Sequence, residues 1–162
     1  NLVNGNVENK NNRVICGDVL SGTKINRDGY LGFYDTQLTV IKEGNEQEFF
    51  GWALPGFNKF SMSKSYFSWL FPKRKYEIDT NMRGEERAYV VTGQYEKVLP
   101  MDIYPQQLIK AIMIEDIDLM EKLGLYEVGP EDLALCEFVC TSKIEVQSII
   151  RHGLDILRKE NL

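Results

Sequence analysis

Histidine is almost missing from this chain: His152 is the only one in 162 residues. That scarcity removes most metal-hydrolase and Ser-His-Asp schemes, which need a tunable imidazole or several nitrogen ligands. Cysteine is scarce as well. Cys16, Cys136 and Cys140 are odd in number and irregularly spaced, which is no secreted disulfide framework and fits a reducing compartment. No apolar run approaches the roughly 20 residues that a membrane-crossing helix needs. The start, Asn1-Leu2-Val3-Asn4, resembles neither a signal peptide nor a natural N-terminus, so the chain reads as cytosolic and as a piece of something longer. Neither G-x-G-x-x-G nor a P-loop occurs, leaving no recognisable cradle for a dinucleotide or a nucleoside triphosphate. Hydride chemistry would have to lie elsewhere.

What is present is an ordinary globular composition, 43% hydrophobic and 27% charged, enough for one good core or two small ones. The net charge of -5 is uneven: residues 1–100 hold 13 basic and 12 acidic side chains, residues 101–162 hold 6 and 12. The acidic second part would repel a phosphate backbone, which disfavours a general nucleic-acid role.

From Arg13 to about Leu99 the signals are those of strands and turns. Arg13-Val14-Ile15-Cys16, Leu38-Thr39-Val40-Ile41 and Ala88-Tyr89-Val90-Val91 are β-branched or aromatic runs, each stopped by turn residues. Five to seven short strands are expected, with residues 1–12 as an edge or frayed entry. After Pro100 the period becomes helical. Pro105 suits an early helical position, Leu108, Ile109, Ile112 and Met113 follow at helical spacing, and Gly124 suits a stop for the stretch from Asp116 to Leu123. A third helix should start at Pro130 and carry Leu133, Cys136, Val139 and Cys140 on one stripe, with Glu131 and Asp132 at its positive end. Ser142-Lys143-Ile144-Glu145 matches a capping box ahead of a fourth, whose stripe is Val146, Ile150, Gly153, Leu154 and Leu157. The expected class is α+β: a small β-rich unit over residues 1–100, then about four short helices over residues 101–162.

Several ordered stretches carry a resemblance: R-V-I-C-G-D-V-L-S-G from Arg13, G-Y-L-G-F-Y from Gly29, F-F-G-W from Phe49, V-T-G-Q-Y-E-K-V-L-P-M-D-I from Val91 and E-D-L-A-L-C-E-F-V-C from Glu131. Together they resemble the C-terminal third of the A-subunit of the bacterial sodium-translocating NADH:quinone oxidoreductase (Na+-NQR). The resemblance implies a peripheral subunit on the cytoplasmic side of a six-subunit membrane complex that passes electrons from NADH to ubiquinone and exports sodium. It implies partners among the other subunits, above all a membrane-embedded neighbour. NADH, FAD, FMN, the 2Fe-2S cluster and ubiquinone would belong to the whole complex and no cofactor to this part. It also implies kinship with subunits of complex I and of the Rnf complex, in which a β-grasp soluble-ligand-binding (SLBB) domain precedes a helical iron-sulfur domain; here the cluster would be lacking.

Several constellations invite a chemical reading. Cys136 and Cys140 with His152 could begin a metal or cluster site, but the count falls short of four ligands and the C-x-x-x-C spacing is that of two buried thiols on one helix face. Ser21-Gly22-Thr23 resembles the S-G-A-T sequence at which sister subunits carry covalent flavin, yet lacks its alanine and reads as a turn. Asp102, Glu115, Asp116, Asp118 and Glu121 read as a solvated acidic face. No catalytic, cofactor-binding or metal-binding residue is therefore expected.

The segment from Phe57 to Tyr76 stands apart, with five basic residues, no acid and seven aromatics in twenty positions. It is either a hairpin whose rings are core or an exposed patch for a partner or membrane surface, with Lys64, Trp69, Phe71, Lys73, Arg74 and Lys75 as the docking residues. Three functions follow: an assembly and interface module of an enzyme complex, a stand-alone β-grasp-type ligand-binding module, or a basic-aromatic binder of single-stranded nucleic acid. The length and order of the resemblance favour the first.

Overall fold

The adjacent β-branched pair Val14-Ile15 and a glycine stop lead Asn12–Cys16 to form β1, the centre of a small antiparallel sheet. The computed structural model describes residues 11–44, 49–51, 53–62 and 64–160. The edge or frayed entry expected over residues 1–12 lies outside these except for Asn11 and Asn12. β2 is Thr23–Ile25 and β3 is Leu38–Lys42, in the order β2-β1-β3. The register sets Val14 opposite Ile25 on one side and Val40 on the other, and Cys16 opposite Thr23 and Leu38. Successive strand side chains point to opposite faces, and Val14, Ile15 and Cys16 are all buried, so both faces of this central strand are covered at its end.

Gly17, with φ +98, turns the chain out of β1 in a conformation that costs any other residue a steric clash. Asp18 then organises the connection: its carboxylate accepts from the Leu20 and Ser21 backbone N–H groups and from the Ser21 hydroxyl. These bonds hold the Asp18 carboxyl below the usual carboxylate range. At the other end of the sheet the Arg13 guanidinium pairs with the Glu43 carboxylate, one Nε contact being 3.0 Å, and ties β1 to the end of β3.

Three strands stand among the described residues where five to seven are expected. Ala88 to Val91 is not one of them. Backbone groups at its two ends find partners other than a strand: Arg87 N–H just before it donates to the Ser142 carbonyl, the Ser142 hydroxyl donates to the Ala88 carbonyl, and Thr92 N–H just after it donates to Gln106 Oε1. A β-propensity run becomes a strand only when a neighbouring ladder is offered, and here side chains and a loop serve instead.

The chain divides into two compact units between Arg83 and Gly84. The expected boundary at residue 100 is thus displaced, because Tyr95 and Leu99 pack into the helical core. In the second unit α1 is Pro105–Met113, α2 Ile117–Lys122, α3 Ala134–Val139 and α4 Val146–Glu160. The α+β order and the four short helices are as the periodicity predicts.

Local signals set most of these ends. Pro105 is the first residue of α1, Asp116 caps α2 by accepting from Leu119 N–H, and Gly124, with φ +84, follows it. Pro130–Leu133 is a 3-10 turn leading into α3, and Asp132 accepts from Gly129 N–H at its start. Met113 ends α1 as its spacing predicts and faces outward at 53% exposure, while Leu108, Ile109 and Ile112 beside it are fully buried. One expectation is corrected: Cys140 lies just beyond α3, as its C-cap. The capping box before α4 is not built either. Ser142 is buried with its hydroxyl on Ala88, and the N–H of Gln147 in the first turn is met instead by the Glu137 carboxylate from α3.

Candidate functional site

The aromatic-basic segment has no strand among its described residues, so the hairpin reading fails. Its rings pack on one another instead of into a core. Phe57 lies 6.2 Å from Phe67 and 6.3 Å from Phe71, ring centre to ring centre, and Phe60 meets Tyr76 edge-on at 5.9 Å. Gly56 lets the chain pass close to one of these rings, since a Cβ there would stand 2.3 Å from Tyr66 Cδ1.

A 3-10 turn over Phe67–Leu70 is anchored from inside. Ser68 is buried, the Tyr76 hydroxyl donates to its carbonyl, and Phe67 N–H donates to the Pro55 carbonyl. Around that anchor Trp69, Leu70 and Phe71 are left 50%, 52% and 51% exposed. Arg74 N–H returns to the Phe71 carbonyl, closing a turn with Pro72 at its second position, where proline's fixed φ is already suitable. The turn places Lys73, Arg74 and Lys75 directly beside the exposed rings, all three in solvent.

Lys64 is also exposed, in the left-handed region at φ 57. Lys59 is used differently: its ammonium donates to the Gly51 carbonyl and lies 5.4 Å from the centre of the Tyr66 ring. Among the described residues none of Lys64, Lys73, Arg74 and Lys75 is paired with a carboxylate. The expected docking residues are thus all exposed, with a half-exposed apolar knob next in the chain to three of the cations. The G-Y-L-G-F-Y stretch of the same unit exposes its rings still more fully, Tyr30, Phe33 and Tyr34 each above 90%.

Cys136 and Cys140 are buried, as the spacing predicts, but His152 is an exposed residue of α4 whose Nε2 lies 3.6 Å from the Glu115 carboxylate. The three therefore form no shared site. The Cys140 sulfur instead accepts from the buried Tyr95 hydroxyl at 3.0 Å, a pair separated by 45 positions in the chain. Burial, with Glu96 and Cys140 nearby, pushes the Cys136 thiol up to about 11, which leaves it protonated and a poor nucleophile at neutral pH. Cys16 donates to Asp35 Oδ2 at 2.9 Å and accepts from Gly32 N–H, and the carboxylate raises its pKa too.

Ser21 sits in the Asp18 turn, as its glycine neighbour implies. Asp102, Glu115, Asp116, Asp118 and Glu121 are all exposed, with Asp116 spent on its cap and Glu121 accepting from the Tyr126 hydroxyl. No group of three metal-capable side chains occurs among the described residues, and none of their helices is long and apolar enough to cross a membrane.

Sequence reasoning missed Gln106. This fully buried amide in α1 joins the preceding loop, accepting from Thr92 N–H and donating to the Glu96 carboxylate, both at 2.9 Å. Its one visible signal was a polar residue next to a proline at a helix start, which points equally well to an exposed position.

No family model matches the chain. Curated relatives do. The A-subunit of a Na(+)-translocating NADH-quinone reductase from Rhodopirellula baltica is 45% identical over 161 residues, 98% of this chain. The proteins of the same name from Shewanella frigidimarina and Yersinia pestis are 44% and 40% identical over 91% and 98% of it. The chain belongs to this A-subunit family. It spans about a third of the length of these relatives, 34 to 36% in the three cases. The identity runs through both compact units, so the aromatic-basic segment and the helical core alike lie within the matched region.

Proposed function

We propose that this chain is a scaffold and interface module of the A-subunit in a complex that carries electrons from NADH to ubiquinone and exports sodium. The observation that carries this reading is identity of 40 to 45% to named subunits over nearly the whole chain. In this reading the module sits peripherally on the cytoplasmic face of the bacterial inner membrane. Its partners are the other subunits, and its docking surface is the segment from Phe57 to Tyr76.

The chemistry of the side chains supports a supporting role. The thiols are buried and two of them have raised pKa values, and the acidic residues around α1 and α2 are spent on caps and solvent. Flavin, iron-sulfur and quinone chemistry would then reside in other parts of the complex. Co-purification tests the assignment: the full-length protein should be retained by the membrane subunits in detergent, and this chain alone should show no flavin or iron-sulfur absorption. A protein that fails to associate, or a chain that carries such a band, would overturn it.

A further inference from the structure

We propose that the surface the segment from Phe57 to Tyr76 docks on is a layer of anionic lipid headgroups, an inference that rests on the docking reading above. Charge is the first argument. The twenty residues contain no Asp or Glu, and four of their five cations are exposed and unpaired with a carboxylate among the described residues. A surface of that kind calls for an anionic counterpart.

Shape is the second. Trp69, Leu70 and Phe71 are consecutive, each half exposed, and held outward by a turn whose inner side is fixed through Ser68. The turn closed by Arg74 N–H on the Phe71 carbonyl sets Lys73, Arg74 and Lys75 beside them. An apolar knob rimmed by cations matches the boundary between headgroups and acyl chains, where rings enter the boundary and ammonium groups stay at the charged layer.

The manner of holding is the third. The rings of Phe57, Phe60, Phe67 and Phe71 each meet another ring of the segment, and the four cations end long side chains with no carboxylate partner among the described residues, three of them lysines. A protein groove with placed carboxylates is matched by preorganised forks of arginine, whereas diffuse lysine charge suits a fluid anionic layer. The knob is a single short turn, so it seats at the interface and does not span.

Sedimentation of the full chain with vesicles of phosphatidylcholine, with and without phosphatidylglycerol, tests this at low and high salt. The chain should bind the phosphatidylglycerol vesicles, release from them as salt rises, and ignore the neutral ones. One basic residue near an anionic surface is worth about fivefold in partitioning, so Lys73→Gln, Arg74→Gln and Lys75→Gln together should weaken binding by about a hundredfold. These three side chains are in solvent, so the variant should keep its circular dichroism. Trp69→Ser with Phe71→Ser should weaken binding to the anionic vesicles at fixed phosphatidylglycerol content and salt.

Equal binding to neutral and anionic vesicles, or full binding by the triple variant, would overturn the proposal. So would a parent chain that ignores vesicles while the glutamine variant loses retention by membrane subunits in detergent, which would assign the segment to an acidic protein neighbour and leave the subunit reading intact. Vesicle binding by a protein that does not co-purify with those subunits would support the lipid assignment while overturning the subunit one.

Discussion

Gly153 of α4 lies against Ile112 of α1 so closely that a Cβ on the glycine would stand 2.9 Å from Ile112 Cγ1, with Leu125 Cδ2 at 3.0 Å on another side. Two helices therefore meet at a position with no room for a side chain. Alanine in place of glycine gains up to about 1 kcal/mol of helix propensity, but overpacking a full core costs about 1–3 kcal/mol. We expect Gly153→Ala to lose about 1 kcal/mol net and Gly153→Leu about 3 kcal/mol or more. Urea unfolding measures both. Ile112→Val should cost less in the Gly153→Ala background than in the parent, since it withdraws one of the crowding methyl groups; equal costs would mean the crowding has no energetic weight.

Tyr89 and Tyr95 are neighbours, 6.2 Å apart ring to ring, yet the same substitution should destabilise only at Tyr95. The Tyr95 hydroxyl donates to Cys140, whereas the Tyr89 hydroxyl is buried without a hydrogen-bond partner among the described residues. Tyr95→Phe should cost about 1 kcal/mol, and Tyr89→Phe should be neutral or stabilise by about 1 kcal/mol, because a buried polar group without a partner carries its full desolvation cost. Thermal unfolding of the two variants gives the comparison directly. A loss of stability in Tyr89→Phe would show that its hydroxyl has a partner after all.

The three thiols should be silent in the folded chain. Cys16, Cys136 and Cys140 are at most 4% exposed, and burial and the Asp35 carboxylate raise two of their pKa values. Ellman's reagent at neutral pH should therefore release almost nothing from native protein and three equivalents after guanidinium unfolding. Cys136→Ser should cost about 1–3 kcal/mol, since a hydroxyl without a partner replaces a small apolar group in the core. In the complex proposed above, turnover per assembled complex should stay at the parent value; its loss with normal assembly would give the thiol a chemical role.

Acid should loosen the sheet through one carboxylate. The hydrogen bond from Arg13 holds the Glu43 carboxyl at about 2, far below its usual 4.5, with Lys24 adding to the attraction and desolvation opposing it. A depressed folded-state pKa contributes stability that is complete above the unfolded value and disappears as pH falls through the folded one. The window is thus from about 4.5 down to about 2. Hydrogen exchange at β1 amides, corrected for intrinsic rates, should show protection falling across it in the parent. Glu43→Gln should start lower and vary less with pH. A parallel decline in both proteins would place the acid sensitivity elsewhere.

What could be read from the sequence alone are features decided within one helical turn or one loop. Pro105 starts α1, Gly124 follows α2, and the stripe of Val146, Ile150, Gly153 and Leu157 names the buried face of α4, because dihedral preference and period act on neighbouring residues. The family resemblance was equally legible, carried by ordered runs of residues that need no coordinates. Position in space was not. Ser142 looked like a helix cap and became a partner of Ala88, while Glu137 from another helix met the first turn of α4. The run from Ala88 to Val91 had strand propensity but no ladder beside it, and the Tyr95 to Cys140 bond joins residues that no local rule connects. Whether the rings near Trp69 were core or surface was likewise open in the sequence, since aromatic residues serve both. The fold decided it: Phe57, Phe60, Phe67 and Phe71 meet other rings of that segment, and about half of Trp69, Leu70 and Phe71 was left in solvent.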